Sequence, residues 1–153
     1  MFRRLLLGAL VLTSVPAVAQ TRQVRTLNAE GAQNALTAAL AEAKKQNWLL
    51  SIAVVDPAGE LIAFARMDGA GISTIQNALG KAVTSARFRG PSQRFDSLAT
   101  IRPGLLTFEN VTAVEGGVPI SIEGVVVGAI GVSGAASAQD AQVARAAAAA
   151  VKP

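Results

Sequence analysis

Ser51-Ile52-Ala53-Val54-Val55-Asp56-Pro57-Ala58-Gly59-Glu60-Leu61-Ile62-Ala63-Phe64-Ala65-Arg66-Met67 is the stretch from which the rest of the chain is organised. Two apolar runs rich in strand formers flank Asp56-Pro57-Ala58-Gly59, which places proline at the second position of a type I turn. The pattern predicts a strand from Leu49 to Val55 and a returning strand from Glu60 to Met67. Both strands are mostly apolar, so the hairpin belongs inside a domain and not at its rim.

Toward the N-terminus, Asn28 is placed to cap a helix over Ala29 to Gln46. Its apolar positions Ala32, Leu36, Ala39, Leu40 and Ala43 keep helical spacing, and Lys44 and Lys45 stand in the last turn, where the helix dipole favours cations. Toward the C-terminus, Asp68-Gly69-Ala70-Gly71 breaks the strand. Helical spacing then returns in Ile75, Leu79, Ala82, Val83 and Ala86, predicting a helix from Ser73 to Phe88.

Pro91 to Asn110 has no sustained period and reads as short helical turns within a long surface loop. Val111 to Val114, Val118 to Ile122 and Val125 to Ser133 read as a meander with turns at Glu115-Gly116-Gly117 and Glu123-Gly124. Ser137 and Asp140 form a capping-box pattern ahead of an alanine-rich helix reaching Val151. The expected fold is α/β of the α+β type, a five-stranded antiparallel sheet flanked by helices.

Composition narrows the chemistry. The 153 residues include no His and no Cys, which excludes imidazole and thiolate metal sites, disulfides, Cys nucleophiles and any Ser-His-Asp triad. Residues 1–19 carry a basic start, an apolar run from Leu5 to Val15 and the small-x-small element Ala17-Val18-Ala19, the features of a cleaved secretory signal. Residues 20–153 are then a single domain with a periplasmic or secreted destination. Loss of Arg3 and Arg4 lowers the formal charge from +4 to +2, and with five Phe and one Trp the chain is poorly equipped for nucleic acid. The apolar stretch Val118 to Ala136 is broken by Gly124, Gly128, Gly131 and Gly134, which favours buried strands over stable membrane insertion.

Gly80-Lys81 is followed by Ala82 and preceded by Ile75 where a phosphate loop needs glycine, so no phosphate cradle is expected. Gly131-Val132-Ser133-Gly134-Ala135 misses a nucleophile elbow by its last residue and has no His to serve as base. Ser85 and Lys81, on one helix face, are the remaining nucleophile and base pair. The richest cluster is Arg66, Asp68, Lys81, Arg89 and Glu115-Gly116-Gly117. Its cations and turn amides suit an anionic group such as a carboxylate or propionate, and the competing reading is a set of surface ion pairs.

Ser51 to Ala70, Lys81-Ala-Val-Thr-Ser-Ala86, Val114-Glu-Gly-Gly-Val-Pro-Ile120 and Val127-Gly-Ala-Ile-Gly-Val-Ser-Gly134 together resemble the GlcG/HbpS-like heme-binding family. The chain is also similar to the C-terminal domain of PduO-type proteins. The resemblance spans Leu27 to Lys152 and implies a profilin-like sandwich, assembly into homo-oligomers, often octamers, and association with heme or a corrinoid. It maps recurring elements onto Asp68-Gly69-Ala70, Lys81 and Glu115 to Ile120. The function expected is binding of a small molecule, heme or a related tetrapyrrole, near Arg66, Asp68, Lys81, Glu115, Gly116, Gly117 and Pro119. Without His, iron can meet only Met67, Lys, an oxygen ligand or water, unless packing and cations on the propionates hold the macrocycle. Two other readings stand beside it: an enzyme acting on a small oxidised metabolite or degrading heme, with Lys81 and Glu115 as acid and base, and an oligomeric partner protein without a ligand.

Overall fold

The Asn28 side chain accepts a hydrogen bond from the Gly31 amide at 2.8 Å and opens helix α1, Ala29–Gln46, with the bounds that the cap and the apolar stripe predict. The computed structural model describes residues 20–21 and 23–153, so the expected signal segment 1–19 lies outside the described residues. Strands β1 (Ser51–Val55) and β2 (Leu61–Arg66) form the expected antiparallel hairpin. The Asp56 carboxylate holds the turn by accepting from the Ala58 and Glu60 amides. Helix α2 (Thr74–Arg87), helix α3 (Gln93–Ile101), a 3-10 helix (Pro103–Thr107), strands β3 (Gly117–Ile122) and β4 (Val125–Ser133) and helix α4 (Ser137–Ala150) follow.

The sheet has four strands, in the order β2-β1-β4-β3 and antiparallel throughout, not the five expected. The segment read as a fifth strand, Val111 to Val114, begins with a turn bond from the Val111 amide to the Phe108 carbonyl and is otherwise held by side chains. The Thr112 amide donates to Thr84 Oγ1 at 2.8 Å, and the Val114 carbonyl accepts from Ser92 Oγ at 2.7 Å. Ser92 also occupies the free edge of β3: its hydroxyl accepts from the Gly117 amide at 2.8 Å and its own amide donates to the Gly117 carbonyl. The start of the β3 edge is thereby taken at Gly117. The Pro91 to Asn110 region contains a nine-residue helix and one 3-10 helix, more regular structure than the isolated turns expected.

The Ser137 and Asp140 capping box is also corrected. Ser137 is the first residue inside α4, the Gln139 side chain accepts from the Ala136 amide, and Asp140 turns into the protein. The commitment of Asp140 to a distant partner decides this.

Alternation along the strands divides the core between two faces. Ile52 and Val54 of β1 and Ile130 and Val132 of β4, all fully buried, face α1 and α4. At about 1.5–3 kcal/mol for each such side chain, this is the stronger of the two layers. Glu42 on α1 joins it to α4 by accepting from Gln142 at 2.8 Å. On the other face, Ala53, Val55 and Ala129 meet Ala78, Ala82 and Ala86 of α2. A side chain at Gly131 would run into the Ala78 carbonyl and the Ala82 amide, and one at Gly117 into the Lys81 carbonyl. The α2 backbone therefore lies directly on β4 and β3. Among the described residues, no helix is long and apolar enough to cross a membrane.

Candidate functional site

The close seating of α2 fixes Lys81. Its side chain is 4% exposed and crosses the end of the sheet to reach the opposite helical layer. There Nζ donates to Asp140 Oδ2 at 2.8 Å and to the Val132 carbonyl at 3.0 Å. The side chain of Asp140, 2% exposed, also accepts from the Ala135 amide through Oδ1 at 3.0 Å. Burial pushes the Asp140 carboxyl above its usual range, against the opposing pull of Lys81 and the Ala135 amide. Gly116, at φ +128°, passes over the pair. A Cβ there would stand 2.8 Å from Lys81 Nζ and from the Val132 oxygen, so glycine is required for both space and conformation.

Over the pair lies a cleft of about 230 Å³ bordered by Asn77, Thr112, Val114, Ser133, Ala135 and Ser137. The start of α2 is held nearby: Thr74 Oγ1 donates to the Gly71 carbonyl at 2.6 Å and so receives its 2.7 Å hydrogen bond from Ser51 Oγ on β1.

Of the residues expected in one site, the structure brings together Lys81, Gly116 and Gly117. Arg66 ends the edge strand β2, exposed and two strands away from β4, and Asp68 is exposed in the following turn. Met67 is half-buried against the larger core, and its amide donates to the Leu50 carbonyl. Glu115 points to Arg145 on α4, 3.7 Å away, and Pro119 sits farther along β3 opposite Ala129. The acid and base candidates Lys81 and Glu115 thus have different partners. The Ser85 and Lys81 pairing does not form either, because Ser85 Oγ donates to the Gly90 carbonyl at 2.8 Å.

Asp140 and Ser133 were missed as site residues. The sequence signal for Asp140 was the need of Lys81, set between Gly80 and Ala82 on a helix of small residues, for a buried counter-charge. Arg89, at φ +52°, belongs to a different hollow of about 540 Å³ that it lines with Val24, Arg25, Pro57, Val125 and Val126. Among the described residues, no group of three or more His, Cys, Asp or Glu is placed to hold a metal ion.

This architecture has relatives. Protein GlcG of Escherichia coli K12 is 40% identical over 107 residues, which cover 69% of this chain and 80% of GlcG. The crystal structure of a double mutant of HbpS from Streptomyces reticuli superposes with a TM-score of 0.81 at 33% identity, covering 90% of this chain and 97% of HbpS. A crystal structure of a PduOC:heme complex shares the fold, with a TM-score of 0.75 at 21% identity over 82% of this chain and 95% of PduOC. Residues 27–149 match the family described as haem degrading protein HbpS-like, and the chain belongs to that family.

Proposed function

We propose that the protein is a secreted or periplasmic binding protein for heme or a related tetrapyrrole. The observation that carries this reading is the HbpS-like match across residues 27–149, nearly all of the described chain. A heme complex of the PduOC neighbour supports it. The features of residues 1–19 support export.

The residues present suit the macrocycle better than its iron. Imidazole and thiolate are absent from the sequence, Met67 packs on the core, and Lys81 is matched by Asp140. The hollow of about 540 Å³ falls within the range of ligand sites and sets Val24, Pro57, Val125 and Val126 beside the guanidinium groups of Arg25 and Arg89. Those groups would hold the carboxylates of a tetrapyrrole, and the apolar wall would cover part of its face. Arg25 already pairs with Glu123 at 2.7 Å, an exposed contact that a ligand carboxylate can displace. Bound heme would supply iron chemistry with no strong nitrogen or sulfur ligand from this chain.

The same reading takes the layered sheet as a profilin-like sandwich that assembles into a homo-oligomer, the family resemblance pointing to an octamer. Leu98, Ile101, Leu106 and Phe108 are exposed along α3 and the 3-10 helix, which supports assembly.

The test is a titration of hemin and of metal-free protoporphyrin IX into the chain beginning at Gln20. Both should give saturable absorbance changes, with affinities within about tenfold of each other, a difference of about 1.4 kcal/mol. Absence of a saturable change with either compound removes the proposal.

A further inference from the structure

The cleft over Lys81 and Asp140 contains polar groups that the protein leaves unused. Ser133 is only 6% exposed and borders the cleft, yet among the described residues its hydroxyl has no hydrogen-bond partner. The Thr112 and Ser137 hydroxyls and the Asn77 amide are likewise free and border the same space. The Lys81 ammonium has three N–H groups, of which Val132 and Asp140 take two. The third has no acceptor among the described residues. Among the described residues no buried side-chain polar atom lacks a partner, so the Ser133 hydroxyl opens onto the cleft, where water or a ligand hydroxyl can pair with it.

We propose that this cleft binds a small uncharged polyhydroxylated molecule, one hydroxyl bridging Lys81 and Asp140 and an adjacent one pairing with Ser133. Three properties select that class. Lys81 and Asp140 cancel, so the floor has no net charge, and a free anion would meet the Asp140 carboxylate as a free cation would meet the Lys81 ammonium. Every other polar group on the wall is a neutral hydroxyl or amide, which both donates and accepts as a hydroxylated ligand does. The volume of about 230 Å³, with water occupying about 30 Å³ per molecule, admits a ligand of glycerol or erythritol size and excludes a tetrapyrrole. One ligand hydroxyl would accept the third Lys81 N–H and donate to Asp140, and the next would pair with Ser133. The site shares no residue with the hollow around Arg25 and Arg89, so either proposal can fail without the other.

The experiment is amide NMR of the isotope-labelled chain from Gln20, titrated separately with glycerol, erythritol, myo-inositol, malonate and inorganic phosphate. Glycerol or erythritol should give saturable shifts at Thr112, Ser133 and Ala135, with the other three compounds binding at least about tenfold more weakly. Ser133→Ala should weaken the polyol about fivefold, as loss of one hydrogen bond predicts, while leaving the spectrum folded. Asn77→Ala, at an exposed position, gives a second reading if Ser133→Ala disturbs the fold. The proposal is overturned by shifts that fail to saturate with both small polyols, by saturation centred elsewhere, by tighter binding of malonate or phosphate, or by unchanged affinity in both variants.

Discussion

Asp140→Asn isolates the energetic role of the buried ion pair. At 2.8 Å and an effective dielectric constant of about 20, the attraction between Lys81 and Asp140 is on the order of 6 kcal/mol before the cost of removing both charges from water. Removing one partner of such a pair strands the other and typically costs about 3–5 kcal/mol. Asparagine keeps the volume but, unlike a carboxyl with an oxygen toward each partner, has one acceptor for two donors. When it accepts from the Ala135 amide its NH2 group faces Lys81 Nζ, so a loss of about 3 kcal/mol applies. Lys81→Met should cost a similar amount, because it leaves a desolvated carboxyl beside Gly116. The double variant Lys81→Met/Asp140→Asn should cost at least about 2 kcal/mol less than the two single losses combined, because neither group is then stranded. Urea unfolding of the four proteins, followed by circular dichroism with m-values compared, measures this cycle. If each single variant loses less than about 1 kcal/mol and the losses add, the pair behaves like a solvated surface contact and the reasoning is wrong.

Carbon-detected NMR should show the Asp140 carboxyl titrating above 3.8, its ordinary value. A raised native pKa means that the folded state holds this proton longer than the unfolded one. The contribution of Asp140 to stability is therefore greatest at or below pH 3.8 and falls as pH rises through the native pKa; Asp140→Asn should remove that decline from the stability profile. Gly131→Ala should cost about 1–3 kcal/mol in thermal melts, because its Cβ meets α2 backbone, whereas Gly104→Ala, facing open space, should stay within about 0.5 kcal/mol. Light scattering should report a mass above one chain, and Ile101→Arg with Phe108→Arg, both on the exposed apolar surface, should lower it. A monomeric wild type would count against assembly.

Local signals decided what was legible. Helix α1 could be bounded because Asn28, the apolar stripe and the terminal lysines lie within one continuous segment, and the β1–β2 hairpin because its turn chemistry adjoins its strands. Val111 to Val114 has strand-forming residues, but Thr84 and Ser92, distant in sequence, take its hydrogen bonds. Nothing in the segment itself records that competition. Asp140 was misread for the same reason: the capping rule considers three neighbours, and its partner lies 59 residues upstream. Lys81 was legible as unusual, but not its depth, which depends on Gly117 and Gly131 admitting the helix backbone.

The alanine and glycine contact between α2 and the sheet has a consequence for motion. Side chains this small contribute little transferable apolar area, at about 0.8 kcal/mol per buried methylene, so the layer depends on dispersion between near-touching backbones. A gap of an ångström or less forfeits much of that attraction, and among the described residues the larger apolar side chains packed on this small core are Leu79 and Phe64, both only partly buried. Helix α2 thus behaves as a snap and not as a hinge. Among the described residues, Lys81 to Asp140 is the only side-chain hydrogen bond joining α2 to α4, and it serves as the catch. In native-state hydrogen exchange the amides of α2 should open together and at lower free energy than those facing the Ile and Val layer. The Lys81 cleft exists only while that helix is seated, so whatever occupies the cleft also holds the snap closed.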